Sequence, residues 1–212
     1  MINCTKNKLV IIGASGLGKE IAFLAERVGI TIKGFLDDKT GCNSFYNYPV
    51  LGDISLCKNF IDDQFVVAIA NTKVRKEIIQ KLITHNIDLG TIIDPSVVYS
   101  KKQLKIGNGS VILAGTVCTA NVKIGNYTIV NKLCSVGHDV VIGDYVTLSP
   151  MCMIGGNVNI ESGSEIGAQT SIRQGLVIGK NVKTGMNTTV VKDLYSNSTW
   201  VGSPAVELIK AK

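Results

Sequence analysis

The 212-residue chain is poor in aromatic residues, proline and charge. Aromatic residues make up 6% of it, there are 4 prolines, and the 18% of charged residues lies below the roughly 25% of an average soluble protein. The hydrophobic content of 45% excludes a disordered chain, because disordered segments are poor in aliphatic residues. No apolar run approaches the ~18 residues that cross a bilayer, and the first residues lack the pattern of a signal peptide. We therefore expect a globular cytoplasmic protein without membrane insertion.

Neither the charge nor the cysteines point to a nucleic-acid or metal site. The net charge is +6, but the lysines are scattered without a block of about five like charges, which argues against a nucleic-acid-binding arm. The 6 cysteines are widely spaced and form no CxxC pair, so a zinc knuckle or a redox motif is not expected. Cys134 and Cys152 are 18 residues apart, which suits stacked small residues better than a metal site. We expect neither a metal nor a nucleic acid as ligand.

Residues 1–93 alternate between apolar runs and segments of helical period. The predicted elements, in chain order, are a strand at 8–12, a glycine turn at 13–18, a helix at 19–27, strands at 31–36 and 65–70, and a helix at 72–85. A strand, a glycine turn, a helix and a second strand are typical of a small parallel α/β domain. The first half is therefore predicted to be a Rossmann-like α/β domain.

From about residue 94 a six-residue period replaces the helical one. Steps of six from Ile106 to Val190 meet an aliphatic residue at 13 of 15 positions, and glycine follows directly at 8 of them. A stronger repeat of 18 residues is superimposed, so three hexads complete one turn of a three-sided coil that stacks on the next. The aliphatic residues are expected to point to the axis, and glycine to stand at corners where a Cβ would clash. Residues 94–212 are therefore predicted to form an all-β stack.

These repeats resemble the hexapeptide left-handed parallel β-helix of acyltransferases, which usually assemble as trimers. The segment Val136-Gly-His-Asp-Val-Val-Ile-Gly-Asp144, Asn131 before it and the closing Val201-Gly-Ser-Pro-Ala205 resemble sugar acetyltransferases. Those are the bacillosamine, perosamine and viosamine N-acetyltransferases and the sialic acid O-acetyltransferases, whose N-terminal nucleotide-sugar domain also begins with a GASG-type turn. The resemblance implies nucleotide-sugar binding by 1–93 and acetyl transfer by 94–212.

His138 is the candidate general base. His138 does not belong to the six-residue series of aliphatic positions, so its ring should project outward from the coil. A neutral imidazole can accept the proton that leaves as a sugar amine attacks a thioester. Asp139 would fix the ring tautomer if it bonded the second nitrogen, but this needs a turn, because neighbours on a strand face opposite sides. The alternative is a solvated surface histidine, which is also the interpretation of His85 at the end of the predicted helix.

Further site residues follow from the resemblance alone. It places Asn131 beside the sugar and makes the backbone N–H of Gly156 an oxyanion donor. It assigns acetyl-CoA contacts, mostly through the backbone, to Thr147, Ala168 and Met186. An asparagine that merely serves a coil corner is the alternative for Asn131.

The glycine turn at 13–18 follows a strand and opens a helix, so its N–H groups could hold a phosphate. The order of its glycines matches neither the dinucleotide-binding fingerprint nor a P-loop. Glu20 stands where a P-loop has the serine or threonine hydroxyl that binds magnesium. Two acids follow the next strand, where they could reach nucleoside hydroxyls or form only a solvated acidic turn. By resemblance, the nucleotide-sugar site is lined by Ser15, Gly16, Leu17, Asp37, Asp38 and Ala70.

We therefore predict a homotrimeric, cytoplasmic acetyltransferase that uses acetyl-CoA. The predicted acceptor is the 4-amino group of a UDP- or dTDP-linked 4-amino-4,6-dideoxy sugar, for a surface glycan such as an O-antigen, a capsule or a glycoprotein. Two alternatives stay open: O-acetylation of a sugar such as sialic acid, and a non-catalytic β-helix scaffold.

Tyr127 and Tyr145, 18 residues apart, are expected to stack on one face of the coil.

Overall fold

The apolar runs of the first half form a parallel sheet. The computed structural model describes residues 8–39 and 41–209, and the chain divides into two units, Met1–Pro95 and Ser96–Lys212. The elements of the first unit are β1 (Leu9–Ile12), α1 (Gly16–Arg27), β2 (Ile32–Leu36), β3 (Ser44–Phe45), β4 (Tyr48–Gly52), a 3-10 helix (Ile54–Phe60), β5 (Gln64–Val67), α2 (Thr72–Thr84) and β6 (Ile92–Ile93).

The sheet of the first unit has the order β3-β4-β2-β1-β5. Strand β1 is an interior strand that pairs in parallel with β2 and β5, and all four of its residues are buried. This burial on both faces explains why β1 is an uninterrupted aliphatic run rather than an alternating one. The carboxyl ends of β1, β2 and β5 therefore meet at one edge of the sheet.

Several predicted boundaries differ from the structure. Helix α1 begins at Gly16 rather than at residue 19, because two glycines of the turn already belong to its first turn. Strand β5 ends at Val67, and the next residues turn into α2 rather than extending the strand to residue 70. The sequence analysis did not predict β3, β4 or the 3-10 helix, whose segment has no clear periodicity.

The second unit is a left-handed parallel β-helix, as predicted. Its strands are β7 (Lys105–Ile106), β8 (Val111–Ile112), β9 (Val117–Cys118), β10 (Lys123–Ile124), β11 (Ile129–Val130), β12 (Ser135–Val136), β13 (Val141–Ile142), β14 (Thr147–Leu148), β15 (Met153–Ile154), β16 (Asn159–Ile160), β17 (Glu165–Ile166), β18 (Ser171–Ile172), β19 (Val177–Ile178), β20 (Lys183–Thr184), β21 (Thr189–Val190), β22 (Thr199–Val201) and β23 (Val206–Glu207).

Each short strand pairs with the strand one coil later, which builds three flat faces. The first face contains β7, β10, β13, β16 and β19, the second contains β8, β11, β14, β17, β20 and β22, and the third contains β9, β12, β15, β18 and β21. The register advances by 18 residues, as in the pairing of Lys123 with Val141. The exception is the last coil, where Lys183 pairs with Thr199. The 18-residue repeat of the sequence is therefore the length of one coil.

Two residues of each hexad fill the interior. The residues of the six-step series from Ile112 to Val190 are buried, as expected. A second buried position, which was not predicted, lies four residues after each of them. It mostly carries small or β-branched side chains such as Thr116, Thr128 and Val146, and it carries leucine at Leu176 and Leu194. Aliphatic and small side chains fill this narrow core, and the buried Trp200 enters it only at the last coil, which explains why aromatic residues are scarce.

The corners of the coil require a left-handed residue. In the six-step series from Ile106 to Thr184, the residue three positions later has a positive φ, a conformation that favours glycine and asparagine. Tyr127 and Tyr145 occupy two of these positions with φ of 56° and 58°, and their rings lie 5.1 Å apart, which confirms the predicted stack. The glycines that directly follow the aliphatic residues do not supply this left-handed conformation. They avoid the predicted clash, because a Cβ at Gly125 would approach the backbone N of Asp144 in the next coil to 2.6 Å.

Candidate active site

His138 and Asp139 form a pair at one corner of the coil. The His138 side chain is 61% exposed, as expected for a ring that projects outward, and its Nδ1 lies 2.9 Å from Oδ2 of Asp139. Asp139 has a φ of 58°, so the chain turns between strands β12 and β13 and brings two consecutive side chains to the same side. The turn that the pair requires is therefore present in the structure.

Asp139 is held as an ionised acceptor. Asn121, one coil earlier, donates from Nδ2 to Oδ1 of Asp139 over 2.7 Å. The hydrogen bonds from Asn121 and His138 lower the pKa of the Asp139 carboxyl. A carboxylate accepts and cannot donate, so the proton of a neutral imidazole lies on Nδ1 and leaves a lone pair on Nε2. Asn121 was not among the predicted site residues, although it precedes Asp139 by one 18-residue coil.

Gly156 lies directly beside the His138 ring. We define the histidine edge as the corner after strands β9, β12, β15 and β18, which carries Ala120, His138, Gly156 and Gln174. A Cβ on Gly156 would meet Nε2 of His138 at 2.5 Å, so Nε2 lies within roughly 4 Å of the Gly156 Cα, given a bond of about 1.5 Å. No protein acceptor for the Gly156 N–H is found within the described part of the chain. The edge therefore combines the His138 imidazole with a neighbouring backbone N–H donor.

Other residues that the sequence analysis singled out lie at a second corner. We define the asparagine edge as the corner after strands β8, β11, β14, β17 and β20, which carries Asn131, Pro150, Ala168 and Met186. Asn131 turns its own Oδ1 back to the N–H of Lys132 over 2.8 Å. The asparagine edge and the histidine edge lie at opposite sides of one face of the coil. Asn131 and His138 therefore do not meet within one chain.

The three residues assigned to acetyl-CoA differ in exposure. Thr147 is buried in β14, and its backbone N–H donates to the carbonyl of Ser164 over 2.9 Å. Ala168 is half-buried and Met186 is 74% exposed, one coil apart on the asparagine edge. Met186 is thus the most accessible of the three, and all three assignments stay predictions.

The candidate nucleotide-sugar residues of the first unit meet at the carboxyl edge of its sheet. Ser15 and Gly16 stand at the start of α1, and Ser15 makes no side-chain cap with that helix. Asp37 accepts the N–H of Ala14 through Oδ2 over 2.7 Å and the N–H of Lys39 through Oδ1 over 2.8 Å. The sequence analysis gave Asp37 a ligand contact, and the structure adds that its carboxylate holds the glycine turn in place.

Asp38 and Ala70 complete that edge. Asp38 accepts the N–H of Ile54 through Oδ1 over 2.7 Å, which ties it to the start of the 3-10 helix. Ala70 lies in the turn between β5 and α2, and Leu17 lies in the first turn of α1. His85 caps the end of α2 and is half-buried rather than fully solvated.

The cysteines of the coil are part of its core. Cys118, Cys134 and Cys152 are buried and free, whereas Cys42 is exposed and Cys4 lies outside the described residues. Within residues 8–39 and 41–209, no group of three His, Cys, Asp or Glu side chains is placed to hold a metal ion. In the same residues, no helix has the length and hydropathy of a membrane span.

Comparisons with known proteins place both halves of the chain. Residues 8–82 match the PglD N-terminal domain family, and residues 121–156 match the bacterial transferase hexapeptide family. UDP-N-acetylbacillosamine N-acetyltransferase of Bacillus subtilis is 33% identical over 111 residues, which cover 50% of this chain and 51% of that enzyme. The alignment thus spans about half the length of that relative.

Solved structures match over nearly the whole chain. The acetyltransferase domain of PglB from Neisseria gonorrhoeae, in complex with acetyl coenzyme A, is 31% identical with a TM-score of 0.89, and the match covers 96% of this chain and 100% of that one. WeeI from Acinetobacter baumannii is 32% identical with a TM-score of 0.85, over 95% and 99% of the two chains. A perosamine N-acetyltransferase variant from Caulobacter crescentus, with CoA and GDP-perosamine, is 25% identical with a TM-score of 0.89, over 99% and 100%.

The fold and the comparisons thus define an acetyltransferase of the hexapeptide-repeat class. The chain belongs to the sugar N-acetyltransferases that combine a PglD-type N-terminal domain with such a β-helix. This family membership confirms the resemblance that the glycine turn and the repeats carry.

Proposed function

We propose that this chain transfers the acetyl group of acetyl-CoA to the amino group of a nucleotide-linked amino sugar, with His138 as general base. The observation that carries the proposal is the His138–Asp139 pair beside Gly156. It supplies an imidazole lone pair and an N–H donor within one corner of the coil. The names of the similar proteins support the same chemistry, since they act on bacillosamine and perosamine derivatives and bind CoA or acetyl-CoA.

The proposed reaction uses Nε2 of His138. The sugar amine attacks the thioester carbon, the new C–N bond forms, and Nε2 accepts the proton that leaves the nitrogen. The carbonyl oxygen gains negative charge, and we assign its stabilisation to the Gly156 N–H; one such donor contributes roughly 3 kcal/mol in other acyl transfers. As the tetrahedral intermediate collapses, the C–S bond breaks, and the imidazolium returns its proton to the departing CoA sulfur. Asp139 stabilises the imidazolium between these two steps.

The two edges of the coil support a homotrimer. Asn131, Ala168 and Met186 lie on the asparagine edge, away from His138. If the asparagine edge of one subunit packs against the histidine edge of the next, these residues join the base at a shared site. We therefore propose that Asn131 of a second subunit approaches the sugar, and that the coenzyme lies along Ala168 and Met186.

The acceptor that we propose is the 4-amino group of a UDP- or dTDP-linked 4-amino-4,6-dideoxy sugar, destined for a surface glycan. The turns of the first unit, with Ser15, Gly16, Leu17, Asp37, Asp38 and Ala70, would bind the nucleotide part. The N–H groups at the start of α1, which the Ser15 side chain does not cap, suit a phosphate. We place the reaction in the cytoplasm, where acetyl-CoA and nucleotide sugars are available.

The test is a panel assay of acetyl-CoA turnover, with the free thiol and the acetylated product both measured. The acceptors are UDP-, dTDP- and GDP-linked 4-amino sugars and free sialic acid. We expect thiol release with a nucleotide-linked amino sugar, and its loss by a factor of roughly 100 or more in His138→Ala. His85→Ala is the matched control, because it changes the other histidine of the sequence and lies outside the coil. Turnover of sialic acid alone would establish O-acetylation instead, and no turnover of any sugar would favour a scaffold.

A further inference from the structure

Arg75 is a charged side chain buried in the first unit. It lies near the start of α2, is 1% exposed, and is the largest of the fully buried side chains among the described residues. Burial of a guanidinium is unfavourable unless its N–H groups are hydrogen-bonded. Its position therefore calls for an explanation that packing alone does not give.

The guanidinium of Arg75 binds the turn between β5 and α2. Its Nη1 donates to the carbonyl oxygen of Ile69 over 2.6 Å and to that of Ala70 over 2.9 Å. These are the two peptide groups that follow the strand and precede Asn71, the N-cap of α2. Asn71 fixes the same turn from the other side, since its Oδ1 accepts the N–H of Val74 over 3.0 Å.

These two hydrogen bonds set the direction of the peptide groups. In a trans peptide the C=O and N–H point in opposite directions. With both carbonyls directed at the guanidinium, the N–H groups of Ala70 and Asn71 are directed away from it. Two consecutive N–H groups held in parallel are a preorganised contact for a carbonyl or phosphate oxygen.

The turn that Arg75 holds is packed against the glycine turn. A Cβ on Gly13 would lie 2.9 Å from the carbonyl oxygen of Ala68 and 3.2 Å from Cγ1 of Ile69. The N–H of Ala68 donates to the carbonyl of Ile12 over 2.7 Å. Any shift of residues 68–71 would therefore be transmitted to the turn that carries Ser15 and Gly16.

We infer that Arg75 is a positioning residue for the nucleotide-sugar site, which acts by fixing the peptide groups of Ile69 and Ala70 against the glycine turn. The inference rests on the proposed function for its ligand, but the conformation of the turn can be measured without one. Arg75 touches no reacting atom, so its effect falls on nucleotide-sugar binding rather than on acetyl transfer in the coil.

The test compares Arg75→Met, Arg75→Lys and the control Lys73→Met in the full-length protein. Methionine fills the space of the stem but donates no hydrogen bond, whereas lysine keeps a charged donor. We expect Arg75→Met to raise KM for the nucleotide-linked amino sugar tenfold or more and to leave KM for acetyl-CoA within twofold. Arg75→Lys should recover part of the loss. Lys73 is an exposed basic residue of the same helix, and its replacement should change neither constant.

Hydrogen–deuterium exchange supplies a readout that is independent of the substrate. We expect faster exchange in peptides that cover residues 68–71 of both Arg75 variants, with unchanged protection in β1 and in the β-helix. Unchanged exchange in this turn, or an unchanged KM for the nucleotide sugar in a folded Arg75→Met protein, would overturn the inference. If Arg75→Met does not fold, Arg75→Lys decides, and a uniform loss of protection throughout its first unit would show that Arg75 serves stability only. If no nucleotide sugar is a substrate, the proposed function fails while the exchange result still stands.

Discussion

Replacement of Gly156 by alanine should inactivate the enzyme through steric contact with His138, the proposed base. The added Cβ would lie 2.5 Å from Nε2, 2.7 Å from Cε1 and 2.9 Å from Cδ2 of His138. The first distance is about 0.9 Å below the 3.4 Å at which ordinary van der Waals contact begins. The whole ring must therefore move, and it cannot keep its 2.9 Å contact with Asp139.

The expected loss in kcat/KM is about 100-fold or more, since positioned acid–base catalysis typically contributes a factor of 10²–10⁴. Stability should change little, because the imidazole is 61% exposed and can rotate into solvent, and because Gly156 does not have a positive φ. The assay is thiol release from acetyl-CoA with a saturating amino sugar, together with a thermal unfolding curve.

Gly41→Ala is the matched control for this substitution. Gly41 also lacks a positive φ, and a Cβ there would meet no atom within 4 Å. We expect wild-type kcat/KM and an unchanged Tm for this variant. If Gly156→Ala kept more than a third of the wild-type activity, the ring would tolerate displacement, and His138 would not be a base held in place by Asp139.

Two further predictions concern Asp139 and the buried thiols. Asn121→Ala removes the donor that contributes most to the lowered pKa of Asp139, so an NMR titration of the Asp139 carboxyl group should show this pKa rising towards its ordinary value. Asn181→Ala is the control, because the Asn181 amide donates to Asn197 at another corner of the coil, and it should leave the pKa of Asp139 unchanged. Because the folded-state pKa is depressed, the small stabilisation by ionised Asp139 is present above the ordinary value of about 3.9 and is lost as pH falls through the folded value. A thiol reagent at pH 8 should label Cys42 in the native protein but not Cys118 or Cys152. Burial raises the pKa of Cys118 to about 12. The hydrogen bond with Cys134, together with burial, raises the pKa of Cys152. Native labelling of Cys118 or Cys152 at the rate of Cys42, measured by mass spectrometry, would contradict the packing of the coil core.

The periodicity of the chain was sufficient to predict the second unit. An aliphatic residue at every sixth position restricts the conformations of the chain, because a three-sided coil is the fold that buries all of these aliphatic residues together. The strand, turn and helix pattern of the first unit was equally readable, since β1 is buried on both faces. Residues 44–60 were missed because their elements are short and follow no period.

The sequence by itself determined the coil, its phase and the outward projection of His138, because these follow from the alternation of buried and exposed positions. Only the tertiary structure decided how the corners are built. The left-handed φ of Asp139 turns an adjacent residue into a partner for the His138 ring, and the 18-residue stacking brings Asn121 and Gly156 against that pair. Arg75 is a similar case, since a single arginine in a helical pattern looks like a surface charge. Its burial against Ile69 and Ala70 arises only when α2 packs on the sheet, because contacts between distant segments depend on the completed fold rather than on local period.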